Sequence, residues 1–177
     1  TRWVRLESSQ VEGSSKAVCV VSDVDNDVTS IGWHGSDWVA PYVNTTALEA
    51  ASGAYRQYDV AFTSDIARVI SGTGDTMDHD TWNMNTGAWG GAAATPDLEN
   101  NTGTMRWVRI VADPLSDSSG RMIVMGEDED NDISAGVWID GAWLPTGASG
   151  DVSFMDSQLE TGAQNYTSQG FDAVWQA

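Results

Sequence analysis

The stretch RWVRIVADPLSDSSGRMIVMGEDEDNDISAGVWIDGAW, residues 106–143, is a near-copy of RWVRLESSQVEGSSKAVCVVSDVDNDVTSIGWHGSDW, residues 2–38. With one extra residue in the later copy, both carry Arg-Trp-Val-Arg, an acidic Asp-x-Asp-Asn-Asp and two Trp five residues apart. Self-similarity of this kind governs the reading of the residues in between. The copies are offset by roughly 105 residues, too long for a single solenoid coil, so the repeating unit is composite.

Inside the first copy, Arg2–Leu6, Ala17–Val21, Ile31–Trp33 and a run starting at Trp38 are short and rich in β-branched or aromatic residues, as strands require. The acidic turn Asp23–Asp27 and the Gly35-Ser36 turn separate the later ones, which predicts a four-stranded antiparallel meander. The following segment, Ala40 to Gln57, is rich in Ala, Thr and Ser, and its Leu48–Ala54 stretch is expected to form at most one helical turn. Tyr58-Asp59-Val60-Ala61-Phe62 opens a second, more divergent meander, with Arg68–Gly72 as its second strand and Thr81–Met84 as its third. The endings Ser36-Asp37-Trp38, Gly87-Ala88-Trp89 and Gly141-Ala142-Trp143 occupy equivalent places. The composite repeat therefore resolves into two kinds of unit, Arg-type and Asp-type, named after their first strands. They run Arg-type (residues 1–57), Asp-type (58–104), Arg-type (105–170), and Phe171–Trp175 within 171–177 opens another Asp-type unit.

Successive meanders of this length predict an all-β, propeller-like array of about three blades plus one extra strand. A β-sandwich is the alternative, but its strands do not repeat one another in sequence. The pattern RWVR, acidic DND turn, VWxDGxW, alternating with FDVAF-type strands, resembles tandem repeats of large secreted or surface-exposed prokaryotic proteins. The middle unit departs from it, with Met84 aligned to Trp33 and Trp138, and Thr76 aligned to Asp25 and Asp130. The resemblance implies an extracellular, repetitive, non-catalytic module and brings no active site with it.

Period-two alternation places Val4, Leu6, Val60, Phe62, Val108, Ile110 and Trp175 on one face of equivalent first strands, where a core is expected. The other face carries Trp3 and Arg5, then Asp59, then Trp107 and Arg109, then Asp172, so cationic and anionic first strands should meet. Cys19, alone in an apolar run, is expected as a buried small hydrophobe and excludes an intrachain disulfide.

Asp23, Asp25 and Asp27, and again Asp128, Asp130 and Asp132, set carboxylates at alternate positions, a spacing that lets one loop wrap a hard cation such as Ca²⁺. The loop is no EF-hand: the sixth position holds Val28 or Ile133 instead of Gly. The same residues also suit a hairpin turn, where short polar side chains bond nearby backbone. Asp78-His79-Asp80 reads as a solvated turn or a transition-metal fragment. Trp33 with Trp38, and Trp138 with Trp143, read as packing between blades or as platforms for a carbohydrate ligand. Sequons stand at Asn44, Asn100 and Asn165.

The chain has 177 residues, of which 41% are apolar, and carries a formal net charge of −18. That field disfavours nucleic acid and anionic lipid, and no apolar run approaches the roughly 20 residues of a membrane-spanning helix. No nucleophile elbow, zinc-spaced His pair or complete phosphate loop is present in the sequence. The expected function is a secreted or cell-surface structural or adhesive module, assembling as a homo-oligomer or within a longer tandem chain. A carbohydrate-binding, cation-assisted lectin is the alternative, and an enzyme fragment acting on polysaccharide is a third.

Overall fold

A computed structural model of the chain describes residues 2–43, 48–49, 55–74, 76–91, 93–94, 104–114, 120–129, 133–139, 142–144 and 172–173. They form three antiparallel sheets, and there is no helix among the described residues. The first sheet runs β1 (Trp3–Ser8), β2 (Ala17–Ser22), β3 (Asp27–Trp33) and β4 (Trp38–Val43), with the short β5 (Leu48–Glu49) pairing β3. The second runs β6 (Tyr58–Phe62), β7 (Ile66–Thr73), β8 (Thr76–Asn83) and β9 (Ala93–Ala94). The third runs β10 (Met105–Ala112), β11 (Met122–Asp128), β12 (Ile133–Ile139) and β13 (Ala142–Leu144). Each is a meander in chain order, because the connections between successive strands are short and antiparallel neighbours need no crossover. Leu48–Glu49 is a strand where a helical turn was expected, because its backbone finds open partners at Asp27 and Val28.

The sheets stack face to face. Val60, Phe62, Ala67, Val69 and Trp82 of the second sheet pack against Val18, Val20 and Val28 of the first. Val108, Ile110, Met122, Val124 and Trp143 of the third pack against Ala61, Ile70 and Met77 of the second. The approach is close: a Cβ added to Gly32 would lie 2.4 Å from Trp82 Cε2, and one at Gly72 would lie 2.7 Å from Met105 Cβ. Glycine at these two positions is what lets a large side chain of the next sheet rest on the backbone.

Register identifies the equivalent positions. Phe62, Ala67, Trp82 and Trp89 pair across the second sheet as Ala112, Met122, Trp138 and Trp143 do across the third. Trp82, not Met84, is therefore the counterpart of Trp33 and Trp138, and its partner Trp89 lies seven residues on because the turn at Asn83–Ala88 is longer. β8 also begins earlier than expected. Thr73 pairs Thr76 around Gly74, whose positive φ of 83° closes a tight hairpin. Asp78-His79-Asp80 thus lies inside a strand, with His79 and Asp80 buried, rather than in a solvated turn.

The expectation that all first strands bury the same face fails in the first sheet. Val108 and Ile110 are 0% and 1% exposed, yet their counterparts Val4 and Leu6 are 59% and 61% exposed. Val60 and Phe62 are buried, while Trp175 lies outside the described residues. The alternation is correct, but burial needs a preceding sheet, and among the described residues none lies before β1. Cys19, which pairs Leu6 across β1 and β2, is half-buried for the same reason.

Truncating equivalent residues should reveal the difference. Ile110→Ala should cost about 2–5 kcal/mol by denaturant unfolding. Leu6→Ala should stay within about 0.5 kcal/mol of the parent.

Candidate functional site

The first strands β1, β6 and β10 lie side by side and are tied by charge. Asp59, fully buried on β6, ion-pairs with Arg5 Nε at 3.0 Å through Oδ1 and with Arg109 Nη1 at 2.9 Å through Oδ2. The Ile110 N–H donates to the same Oδ2 at 3.1 Å. Arg109 continues the row by donating from Nε to Asp172 Oδ1 at 2.8 Å. Desolvation works against the Arg109 charge, but Asp59 and Asp172 together hold its pKa above the ordinary value. Hydrogen bonds from Arg109 and from the Ala173 N–H in turn hold Asp172 below the usual carboxylate range. Cationic and anionic first strands therefore alternate as the sequence indicated. Beside this row lies an open cleft of about 280 Å³, lined by Arg5, Glu7, Phe62, Arg109 and Ile110.

The seams between sheets carry the most distinctive side-chain chemistry. Trp138 and Trp143 meet edge to face with centroids 5.1 Å apart. The Arg68 guanidinium, from β7, lies 3.7 Å from the centre of the Trp138 ring, a cation–π contact in a desolvated place. His79, adjacent on β8, has both indoles 5.7 Å away. Arg68 is buried, and among the described residues its Nε and Nη1 find no acceptor; Trp143 Nε1 and His79 Nδ1 are likewise buried without a partner there. Burial pushes Arg68 down to about 10 and His79 down to about 4, the Arg68 charge adding to the effect on His79. Arg68 did not stand out as a site in the sequence, and His79 did so only within Asp78-His79-Asp80, as a solvated turn or a transition-metal fragment. The signal was available only through register, which sets Arg68 and His79 side by side on one face.

The other tryptophan pair has the same geometry and a different setting. Trp33 and Trp38 meet edge to face at 5.3 Å, but on the face of the first sheet that no other sheet among the described residues covers. The acidic turn Asp23–Asp27 joins β2 to β3. Asp23 Oδ1 accepts from the N–H groups of Asp25 at 2.8 Å and Asp27 at 3.2 Å, and Asn26 takes φ 72°. One carboxylate oxygen thus closes the hairpin. Asp128 is buried at the end of β11, and Asp130 and Asp132 lie outside the described residues, as do the three sequon asparagines. No group of three His, Cys, Asp or Glu placed to hold a metal occurs among the described residues. No helix among them is long and apolar enough to cross a membrane.

No family model and no curated protein matches the chain. Among solved structures, it is similar to a fucose lectin from Kordia zhangzhouensis, in complex with methyl-fucoside, at a TM-score of 0.47 and 15% identity, over 80% of this chain and 95% of that one.

The His79 environment has a measurable pH consequence. Its folded pKa of about 4 lies below the ordinary 6.5, so the unfolded chain takes up the proton first. Stability from this group is fully present above about pH 6.5 and is lost as pH falls toward 4. Urea midpoints should drop less between pH 7 and pH 4.5 in His79→Gln than in the parent.

Proposed function

We propose that this chain is a non-catalytic assembly module, of propeller-like repeat architecture, belonging to a secreted or cell-surface protein. Its sheets continue a face-to-face stack beyond the first one, either between copies or within a longer tandem chain. The observation that carries the reading is the uncovered face of the first sheet. Val4, Leu6, Cys19, Trp33 and Trp38 there correspond by register to Val108, Ile110, Val124, Trp138 and Trp143, which the second sheet covers. An apolar face of this kind, with two first-strand residues more than half exposed, marks an interaction surface rather than a solvent face. The acidic charge of −18 suits such a module by keeping it soluble while the open face waits for its neighbour.

The isolated chain should bind an apolar dye and scatter light as species heavier than its 19.0 kDa monomer at micromolar concentration. The double variant Val4→Glu, Leu6→Glu should lose both signals and keep its melting temperature. A dye-silent monomeric parent would overturn the stacking reading.

A second reading, carbohydrate binding, is favoured by one observation: donors of Arg68 and Trp143 that have no partner among the described residues stand beside the Trp138 ring and offer hydrogen bonds and an aromatic surface to an oxygen-rich ligand. A glycan array would show reproducible binding that Arg68→Met abolishes. Binding unchanged in that variant would place the sugar elsewhere.

A further inference from the structure

The uncovered face of the first sheet can be matched to an occupant, because the same molecule shows what covers the same face elsewhere. Two seams are formed, and they differ. Where an Arg-type sheet precedes an Asp-type sheet, the following sheet's Trp82 rests on Gly32, a position with no side chain. Where the Asp-type sheet precedes an Arg-type sheet, Trp138 and Trp143 receive a side chain instead, the Arg68 guanidinium. The first sheet is Arg-type, and its Trp33–Trp38 pair has the geometry of Trp138–Trp143. Trp38 is 40% exposed where Trp143 is 8% exposed. The indole pair is formed, and among the described residues no cation lies over it.

The charge row supplies an independent argument. Arg109 uses Nε for the carboxylate of the following unit, Asp172, and Nη1 for that of the preceding one, Asp59. Arg5 likewise turns Nε to the following carboxylate, Asp59, at 3.0 Å. Its Nη1, the atom that Arg109 turns to the preceding carboxylate, has no carboxylate partner among the described residues, and its Nη2 is held by Glu7 of its own strand at 2.8 Å. Glu7 aligns with Val111, which has no charge to offer Arg109. The place that Asp59 takes at Arg109 is thus open at Arg5 among the described residues.

Resting on the stacking reading, we infer that the face of β1–β4 docks a sheet of the β6–β9 type, which inserts an arginine between Trp33 and Trp38 and an aspartate beside Arg5. In a second copy of this chain the corresponding face of the second sheet is already covered by β10–β13, so two isolated copies can meet only open face to open face, without the matching arginine and aspartate. The occupant is therefore a further Asp-type unit from outside these residues. Cys19, at the centre of the face and the only cysteine of the chain, is a built-in reporter of its coverage.

The test joins residues 55–104, an Asp-type unit with its natural connection to an Arg-type first strand, ahead of residue 2 of the full chain. A parallel fusion carries residues 2–57, an Arg-type unit, at the same place. Cys19 is the readout, so the cysteine inside the added Arg-type unit is changed to Ser. The Asp-type fusion should slow labelling of Cys19 by a thiol reagent at least tenfold relative to the parent, and Arg68→Gln in the added unit should restore most of the rate. Equal protection by the Arg-type unit would overturn the choice of occupant and leave stacking intact. Protection by neither would overturn stacking as well. An added unit that stays unfolded by circular dichroism counts the same way, since the face would then lack what the β10 face provides.

Discussion

A carboxylate with no exposure to water is tolerable only while its charge is answered, and Asp59 is answered twice, from β1 and from β10. Removing one partner of a buried pair leaves a bare charge and typically costs about 3–5 kcal/mol. The first strands of the three sheets are thus held at fixed spacing by a geometric requirement rather than by apolar area alone. Everything further out on the sheets inherits that spacing. The Ile110 N–H bond to the same carboxylate also sets the height of β10 against β6, and so the register between the second and third sheets.

Outward from that row, seams close by fitting large rings onto small or flat partners. Trp82 needs the bare backbone of Gly32, and Trp138 needs a planar guanidinium at stacking distance. Two polar contacts tie the first seam at its edge, because both Lys16 Nζ and the His34 ring bond the Met84 carbonyl. Gln57 does the same between the second and third sheets by donating from Nε2 to the Met105 carbonyl. Each sheet is a local meander, so its strands pair with little loop closure, while the seams join residues dozens of positions apart.

Much of this plan was legible in the chain itself. The repeated Arg-Trp-Val-Arg and the YDVAF strand indicated the order of the meanders and the alternation of charge at their first strands. Other features escaped for definable reasons. Turn lengths vary, so aligning the middle unit by spacing put Met84 where Trp82 stands. A tight hairpin at Gly74 moved Asp78-His79-Asp80 from a turn into a strand. Alternation shows which residues share a face, but not whether anything lies against that face. Leu6 and Ile110 have the same pattern around them and opposite exposure. The buried donors of Arg68, which find no acceptor among the described residues, belong to the same class of hidden feature, since only stacking of two sheets removes them from water.

The two kinds of seam have an arithmetic consequence. An Arg-type sheet is flanked by aspartate acceptors, and an Asp-type sheet by arginine donors. Two sheets of one kind would set like charges together on the inner row. A closed ring obeying this rule has no odd-numbered solution, because an odd circuit must somewhere place like beside like. Insertion or loss of a single unit is therefore forbidden to such a ring, and its size can change only by the composite pair.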